Sequence, residues 1–373
     1  LMASSHQTRF VKICPAQSGA MNNEHDRVAR AELARRIARL GEATFVEHDP
    51  PGFSALDDSA QKTLFIPAST IDLAMARQLG ISDESQIYGG VVPHAFVGSK
   101  VITHPLFQSS DAVPVGWHSE LGAALAPHVL SGWSAFSVDA VRAAGLDLLK
   151  QGAIRLKEVE ATAGLGQFVV TSPRKLEEAI AQLDTEAVAR HGVVIEENLD
   201  NVITYSVGMT CLFGDLISYW GTQRLATNND GATVYGGSTL HVVRGGFERL
   251  AGLDLADDLK QGIKKAIAYD AIVSKFYPDL IASRRNYDVA AGINSSGEIR
   301  IGVLEQSWRA GGASGAEIAA FKAFARDPEL SAVTCATMEI YGEIDAAPIG
   351  SIVYYSGIDA VAGPMTKYAM ELE

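Results

Sequence analysis

The spacing of apolar and polar positions divides the chain into stretches of different period. Short apolar runs at 10–14, 44–47 and 63–66 alternate with a helical pattern over 23–40, which sets Val28, Leu33, Ile37 and Leu40 on one face, and another over 71–79. Strand, helix and strand in succession predict a small parallel sheet with helices on both faces, ending between residues 90 and 114. Helical periods return over 121–130 and 138–149. Strands are then expected at 154–157, 168–170 and 193–196, with a helix over 173–183. Ser172 is its N-cap, and Pro173 sits in the first turn, where a missing N–H is no loss. That segment reads as two helices on a small antiparallel sheet. Beyond it strands dominate, at 204–213, 216–219 and 238–243. A long helix over 255–277 follows, then strands 287–293 and 299–305 joined by Asn294-Ser295-Ser296-Gly297 as a hairpin, and a helix over 316–325. The predicted class is α/β followed by α+β.

A chain of 373 residues exceeds one ordinary core, and a 47% hydrophobic content is enough for two or three. Its net charge of −13 lacks the broad positive surface that displaces counterions from nucleic acid or an anionic membrane, so neither is an expected partner. Cys14, Cys211 and Cys335 are odd in number and widely spaced, which argues against a disulfide framework and a cysteine-rich zinc site and fits a reducing cytoplasm. No run of about eighteen apolar residues occurs, and residues 1–9 lack the apolar centre of a secretory signal. A soluble cytoplasmic protein is expected. Leu1 ahead of Met2 reads as foreign to the natural start, so the first residues carry no weight.

The densest chemistry lies between Ser283 and Glu317. Pairing its two strands brings Asp288 and Glu305 towards one end of a hairpin with Arg309 just beyond, a pattern able to hold a divalent cation against a polyanion such as nucleotide phosphates. The alternative is a carboxylate at each strand end in a solvated ion pair with Arg284 or Arg309, which contributes little. The exit Ala310-Gly311-Gly312-Ala313-Ser314-Gly315 favours the first, because glycines let backbone approach a ligand closely.

Two further stretches carry paired readings. Between strands, Lys157 precedes a loop containing Gly164, Gly166 and Gln167: either a phosphate cradle with a lysine reaching into it, or a hairpin loop with a solvated lysine. It is no dinucleotide fingerprint, since the third glycine is missing and a strand follows. Then Val193-Val194-Ile195-Glu196-Glu197-Asn198-Leu199-Asp200 breaks from apolar to acidic. It is either a segment whose backbone reads an adenine edge and whose carboxylate takes ribose hydroxyls, or a strand end before a solvated turn. Lys100 is read as a surface lysine or as a second phosphate-directed cation. Ser314 is in no Gly-x-Ser-x-Gly elbow. No His-x-x-x-His spacing occurs, which makes His94, His104 and His241 structural. Trp133, Trp220 and Trp308 are assigned to the core.

In order, these features resemble the ATP-grasp superfamily, in which a nucleotide lies between two α+β lobes. The resemblance runs from Lys100 to Phe324, preceded by what looks like a pre-grasp domain. It implies a pre-grasp α/β domain over 1–115, a small lid lobe over 116–200 and a large metal-bearing lobe over 201–373. By position, Lys100 and Lys157 resemble the nucleotide-contacting lysines, and Gly164, Gly166 and Gln167 the phosphate flap. Glu196, Glu197, Asn198 and Leu199 resemble the adenine hinge, with Asp200 a ribose contact. Asp288 and Glu305 match the magnesium carboxylates, and Ser307 stands where the superfamily has asparagine. Arg309 matches the arginine facing the transferred phosphate. Arg309, Lys157 and Arg285 are the expected catalytic cations, and Arg224, Arg244 and Arg284 are expected to hold an anionic substrate. The runs Tyr219-Trp220-Gly221-Thr222-Gln223-Arg224, Tyr235-Gly236-Gly237-Ser238, Ser283-Arg284-Arg285-Asn286-Tyr287-Asp288 and Leu304-Glu305-Gln306-Ser307-Trp308-Arg309 are similar to those of a functionally uncharacterised bacterial family, domain of unknown function 3182. The implied activity is an ATP- and Mg2+-dependent ligase joining a small-molecule carboxylate to an amine or thiol, compatible with a homodimer. The alternatives are a non-catalytic ATP-binding sensor or scaffold and a small-molecule kinase.

Overall fold

A computed structural model describes residues 8–14, 23–47, 62–107, 113–160 and 166–372 of the protein. β1 (Phe10–Ile13) leads into α1 (Glu24–Leu40), β2 (Thr44–Val46) and β3 (Thr63–Ile66), and the strands pair in parallel in the order β2-β1-β3. Helix α1 buries Leu33, Ala34, Ile37 and Ala38, while its acidic first turn, Glu24 and Asp26, complements the positive end of the helix dipole. The helical period over 71–79 is split. β4 (Ile71–Asp72) stays extended, and the Asp72 carboxylate accepts from Met75 N–H, so α2 (Leu73–Leu79) begins only after that cap. β5 (Gly90–Val92) pairs in parallel with β4.

The helix expected over 121–130 stops early. α3 (Leu121–Leu125) gives way to a 3-10 turn over Ala126–His128, because Pro127 has no N–H to continue the ladder. β6 (Gly132–Ala135), not evident from the sequence pattern, follows. Then come α4 (Val138–Leu148), β7 (Ile154–Glu158), β8 (Gln167–Val170), α5 (Pro173–Ile180), α6 (Thr185–His191) and β9 (Val193–Glu197). The four strands form an antiparallel sheet in the order β6-β9-β7-β8. Ser172 caps α5 through Lys175 N–H with Pro173 in the first turn, as its sequence predicts. Asp184 caps the separate α6, so the lobe carries three helices rather than two. Val141, Leu148, Leu176 and Ile180 pack on Ile154, Leu156 and Ile195 to form its core.

The rest builds one large antiparallel sheet. β10 (Asp200–Leu212), β11 (Asp215–Thr227) and β12 (Thr233–Arg244) are followed by α7 (Phe247–Ala251), α8 (Asp257–Phe276), β13 (Ile281–Ala282), β14 (Arg284–Ile293), β15 (Ile299–Ser307), α9 (Ser314–Arg326), β16 (Ala332–Tyr341), β17 (Ile352–Asp359) and β18 (Gly363–Leu372). Eight of these strands pair in the order β15-β14-β10-β11-β12-β16-β18-β17. On one face α8 packs Ile263, Ala266 and Val273 against Val207, Tyr287 and Val289. On the other, α9 with α1 sets Ile318, Phe321 and Ile37 against Tyr219, Leu240 and Val242. β13 joins β5, Ile281 opposite Val91, which seats the first part of the chain against the segment entering β14. All three cysteines are free, and among the described residues no helix is long and apolar enough to cross a membrane.

Candidate functional site

The β14–β15 hairpin closes on Asn294, whose Oδ1 accepts the N–H groups of Ser296 and Glu298 while Gly297 takes φ +82°, a left-handed value that suits glycine. From Ile293 opposite Ile299 the ladder is regular down to Val289 opposite Val303, and then it slips: Asp288 faces Glu305. Leu304 is thus the extra residue of a β-bulge, with its carbonyl accepting from Thr103 Oγ1 at 3.4 Å. The slip changes parity. Ile299, Ile301 and Val303 share a face, and strict alternation would send Glu305 after them towards α8. The bulge instead puts Glu305 and Ser307 on the face of Asp288 and turns Gln306 and Trp308 into the α8 core.

Cations arrive at this pair from elsewhere in the chain. Lys100, in a short 3-10 turn, places Nζ 3.1 Å from Glu305 Oε2, and a third of the Glu305 side chain stays open. Lys157, from β7, ion-pairs with Glu196 of β9, whose other oxygen lies 3.2 Å from His104 Nε2; all three are buried. Gln223 of β11 donates to Asp288 Oδ1 at 2.8 Å and to Ser206 Oγ at 3.2 Å. Burial, and then the negative charge of Glu305, push the Asp288 carboxyl up to about 6 against the pull of Gln223, Lys100 and Arg309. Burial alone would raise Glu305 too, but Lys100 and Lys157 outweigh it and hold it below its ordinary value. Burial also lowers Arg309, and the charges of Glu305 and Asp288 oppose that. Among the described residues no third His, Cys, Asp or Glu joins the pair. Two facing carboxylates suit a hard cation such as magnesium, which completes its shell with water and phosphate oxygens.

The expected nucleotide segment is largely engaged internally. Glu196 is the counter-ion of Lys157, and burial notwithstanding, Lys157 and His104 bring its carboxyl down to about 2. Glu197 Oε1 accepts from Ser131 N–H at 2.9 Å and Arg300 Nε at 3.0 Å. Asn198 Oδ1 accepts from Arg155, which also donates to Gln167 Oε1. Leu199 is buried against Leu130 and Ala290, and Asp200 is exposed at the start of β10. Gly166 takes φ +61° and its carbonyl accepts from Glu158 N–H, whereas Gly164 lies outside the described residues.

Four arginines are not where the sequence reading put them. Arg284 is enclosed, bonded to Glu317 and to backbone carbonyls, and has no face open to a substrate. Arg285 alternates to the opposite side of the sheet from Asp288 and pairs with Asp270 of α8 at 2.9 Å. Arg244 donates to the carbonyls of Phe324, Asp327 and Leu330 at the end of α9 and lies over the Phe324 ring. Arg224 is exposed on the face opposite Gln223, near Met338 Sδ at 3.8 Å. Ser307 shares the Glu305 face, across from Asn286. Gln223 was missed, although alternation from the apolar Tyr219 through Gly221 selects it over Arg224. His104 bonds to Glu196 rather than only filling space.

The chain matches the family described as "Protein of unknown function (DUF3182)" over residues 13–369. No curated protein matches it. Among solved structures it is similar to a Campylobacter jejuni biotin carboxylase in complex with β,γ-ATP, at 10% identity over 100% of this chain and 89% of that one, with a TM-score of 0.56. It is also similar to the biotin carboxylase domain of Hydrogenobacter thermophilus 2-oxoglutarate carboxylase, solved with magnesium-ADP and bicarbonate, at 11% identity over 98% and 86%, with a TM-score of 0.52. A Staphylococcus aureus N5-carboxyaminoimidazole synthetase aligns at 12% identity over 98% and 93%, with a TM-score of 0.50. At such identities the likeness is one of fold: an N-terminal domain followed by the two lobes of an ATP-grasp protein.

Proposed function

Because the chain belongs to the family described as "Protein of unknown function (DUF3182)", a description that assigns no reaction, we propose from the site itself that the protein is an ATP- and magnesium-dependent ligase, activating a small-molecule carboxylate as an acyl phosphate for attack by an amine or thiol. One observation carries this reading: two facing carboxylates, Asp288 and Glu305, share a site with Lys100 and with the electrostatic reach of Lys157 and Arg309. In an acidic chain, such a gathering of cations around acids suits a polyanion whose charge a cation helps to balance. The Campylobacter and Hydrogenobacter neighbours, solved with adenine nucleotides, agree with it.

In this reading Lys100 and Lys157 act as point charges on the phosphates, and Arg309 balances charge spreading over the γ-phosphoryl oxygens. Magnesium held by Asp288 and Glu305 would neutralise phosphate charge and polarise the phosphoryl group. The substrate carboxylate oxygen bonds to the γ-phosphorus as the bond to the β–γ bridging oxygen breaks, releasing ADP. The nucleophile then bonds to the acyl carbon, phosphate leaves with the C–O electron pair, and the proton of the amine or thiol passes to solvent. Purified protein with magnesium-ATP and pooled acids and amines should release ADP and give a condensed product by mass spectrometry. A phosphorylated product that persists would identify a kinase.

A second reading, nucleotide binding without ligation, is favoured by Ser307. A serine hydroxyl there, where the ATP-grasp superfamily has asparagine, would ligate magnesium more weakly. Thermal stabilisation by magnesium-ATP with no ADP release from any pool would select it.

A further inference from the structure

We infer that Arg284 and Glu317 are positioning residues that fix the backbone of Ser307 to Arg309, and through it the Arg309 side chain, and that the N-terminal unit completes this device through Tyr88. Its catalytic meaning rests on the ligase reading above.

Glu317, in the first turn of α9, is fully buried. Its carboxylate accepts Nε and a terminal nitrogen of Arg284 at 2.7–3.0 Å, Tyr88 Oη at 2.7 Å, Tyr219 Oη at 2.7 Å and Thr210 Oγ1 at 3.0 Å. That set fills the acceptor sites of a carboxylate. The other edge of Arg284 donates to the carbonyls of Ser307, at 3.2 Å, and of Arg309. One guanidinium therefore joins a fully satisfied carboxylate to the two carbonyls that flank Trp308.

Trp308, between those two carbonyls, is gripped from the N-terminal unit. Thr70 Oγ1 donates to the Trp308 carbonyl at 3.3 Å. A Cβ on Gly89, which has φ +152°, would come 3.1 Å from that carbonyl oxygen, and one on Gly90 would come 2.8 Å from Trp308 Cβ. Tyr88, preceding these glycines, is the hydroxyl on Glu317. Asn286, across the ladder from Ser307, donates to Tyr219 Oη and so ties the metal-bearing strand to the same network. A buried ion pair is often replaceable by apolar packing without loss of stability. What apolar packing does not supply is a donor nitrogen shared by the carbonyls of Ser307 and Arg309, which holds the backbone on either side of Trp308.

Hydrogen exchange and kinetics test this together. Tyr88→Phe and Thr210→Val each remove one hydroxyl and keep the ion pair; Glu317→Gln removes the charge. Each should speed exchange at the hydrogen-bonded amides of Gly311, Ser314 and Glu317 by about tenfold or more while leaving those of α4 and α5 unchanged. In turnover, Tyr88→Phe should lower kcat by roughly ten- to a hundredfold with little change in KM for ATP, because a small displacement of a positioned group is felt in the transition state. Combined with Arg309→Ala, it should cost nothing further, since two residues acting as a unit are non-additive. Unchanged protection at Gly311, Ser314 and Glu317, or additive losses in the double variant, would overturn the inference. Local loss of protection in a protein that turns over no ATP would sustain the positioning and sink the ligase reading.

Discussion

Asp288 and Glu305 stand opposite each other on adjacent strands, and Leu304 is what makes this so. Without the bulged residue the apolar alternation of Ile299, Ile301 and Val303 would carry Glu305 into the α8 core, where an unpaired carboxylate is expensive. The bulge places both acids on one face, and burial together with the neighbouring Glu305 charge raises the Asp288 carboxyl.

That raised carboxyl separates a functional acid from a structural one. Asp288→Asn removes a carboxylate whose ionisation in the folded protein, largely complete above about pH 6, destabilises the fold. The metal-free variant should therefore melt no lower than the wild type at pH 8, while ATP turnover falls by about a thousandfold. Glu305→Gln should lose turnover similarly. A drop in melting temperature for Asp288→Asn at pH 8 would show that the carboxylate stabilises the fold instead.

Lys157 and Glu196 make a paired prediction. Lys157→Met should weaken nucleotide binding and also leave Glu196 buried without its main counter-ion, a change of roughly 3–5 kcal/mol in stability. Adding Glu196→Gln should restore much of that stability but not the affinity. Calorimetric nucleotide titration and urea denaturation of the single and double variants read the two effects separately. Recovery of affinity in the double variant would mean that Lys157 never touches the nucleotide.

The hairpin, the cap at Ser172 and the apolar face of α1 depend on local pattern, and each is visible within a few residues. The bulge at Leu304 is not, because it is selected by what packs on each face of the finished sheet. Nor is the fate of the arginines: Arg284 and Arg285 are neighbours in sequence, yet strand alternation sends one to Glu317 and the other to Asp270. Strands β16 to β18 are not evident from the pattern, since their apolar residues are interrupted by threonines, a serine, glycines and scattered charges that dilute the period.

Arg244 should behave as a structural residue. Its guanidinium serves the carbonyl of Phe324 in the last turn of α9 and those of Asp327 and Leu330 in the segment that leaves it. Arg244→Ala should lower unfolding free energy by about 1.5–3 kcal/mol, the range for hydrogen bonds to a charged group, with KM for any substrate unchanged. A raised KM without loss of stability would return Arg244 to the substrate site.

Acid sensitivity should be traceable to Glu196. Its carboxyl moves from an ordinary 4.5 down to about 2 in the folded protein, where the pull of Lys157 and His104 exceeds the opposing effect of burial. Since the folded value is the lower one, the unfolded chain takes up the proton first as pH falls. The stabilisation is present in full above pH 4.5 and is lost progressively down to about 2, amounting to roughly 3 kcal/mol at 1.36 kcal/mol per pH unit. Asp288 acts in the opposite sense, between about pH 6 and its ordinary 3.8, and is common to both proteins compared. Urea denaturation between pH 4.5 and 2 should therefore show a steeper decline for the wild type than for Glu196→Gln. Parallel declines would mean that the carboxylate is not held by Lys157 in solution, and with it would go the counter-ion role assigned to Glu196.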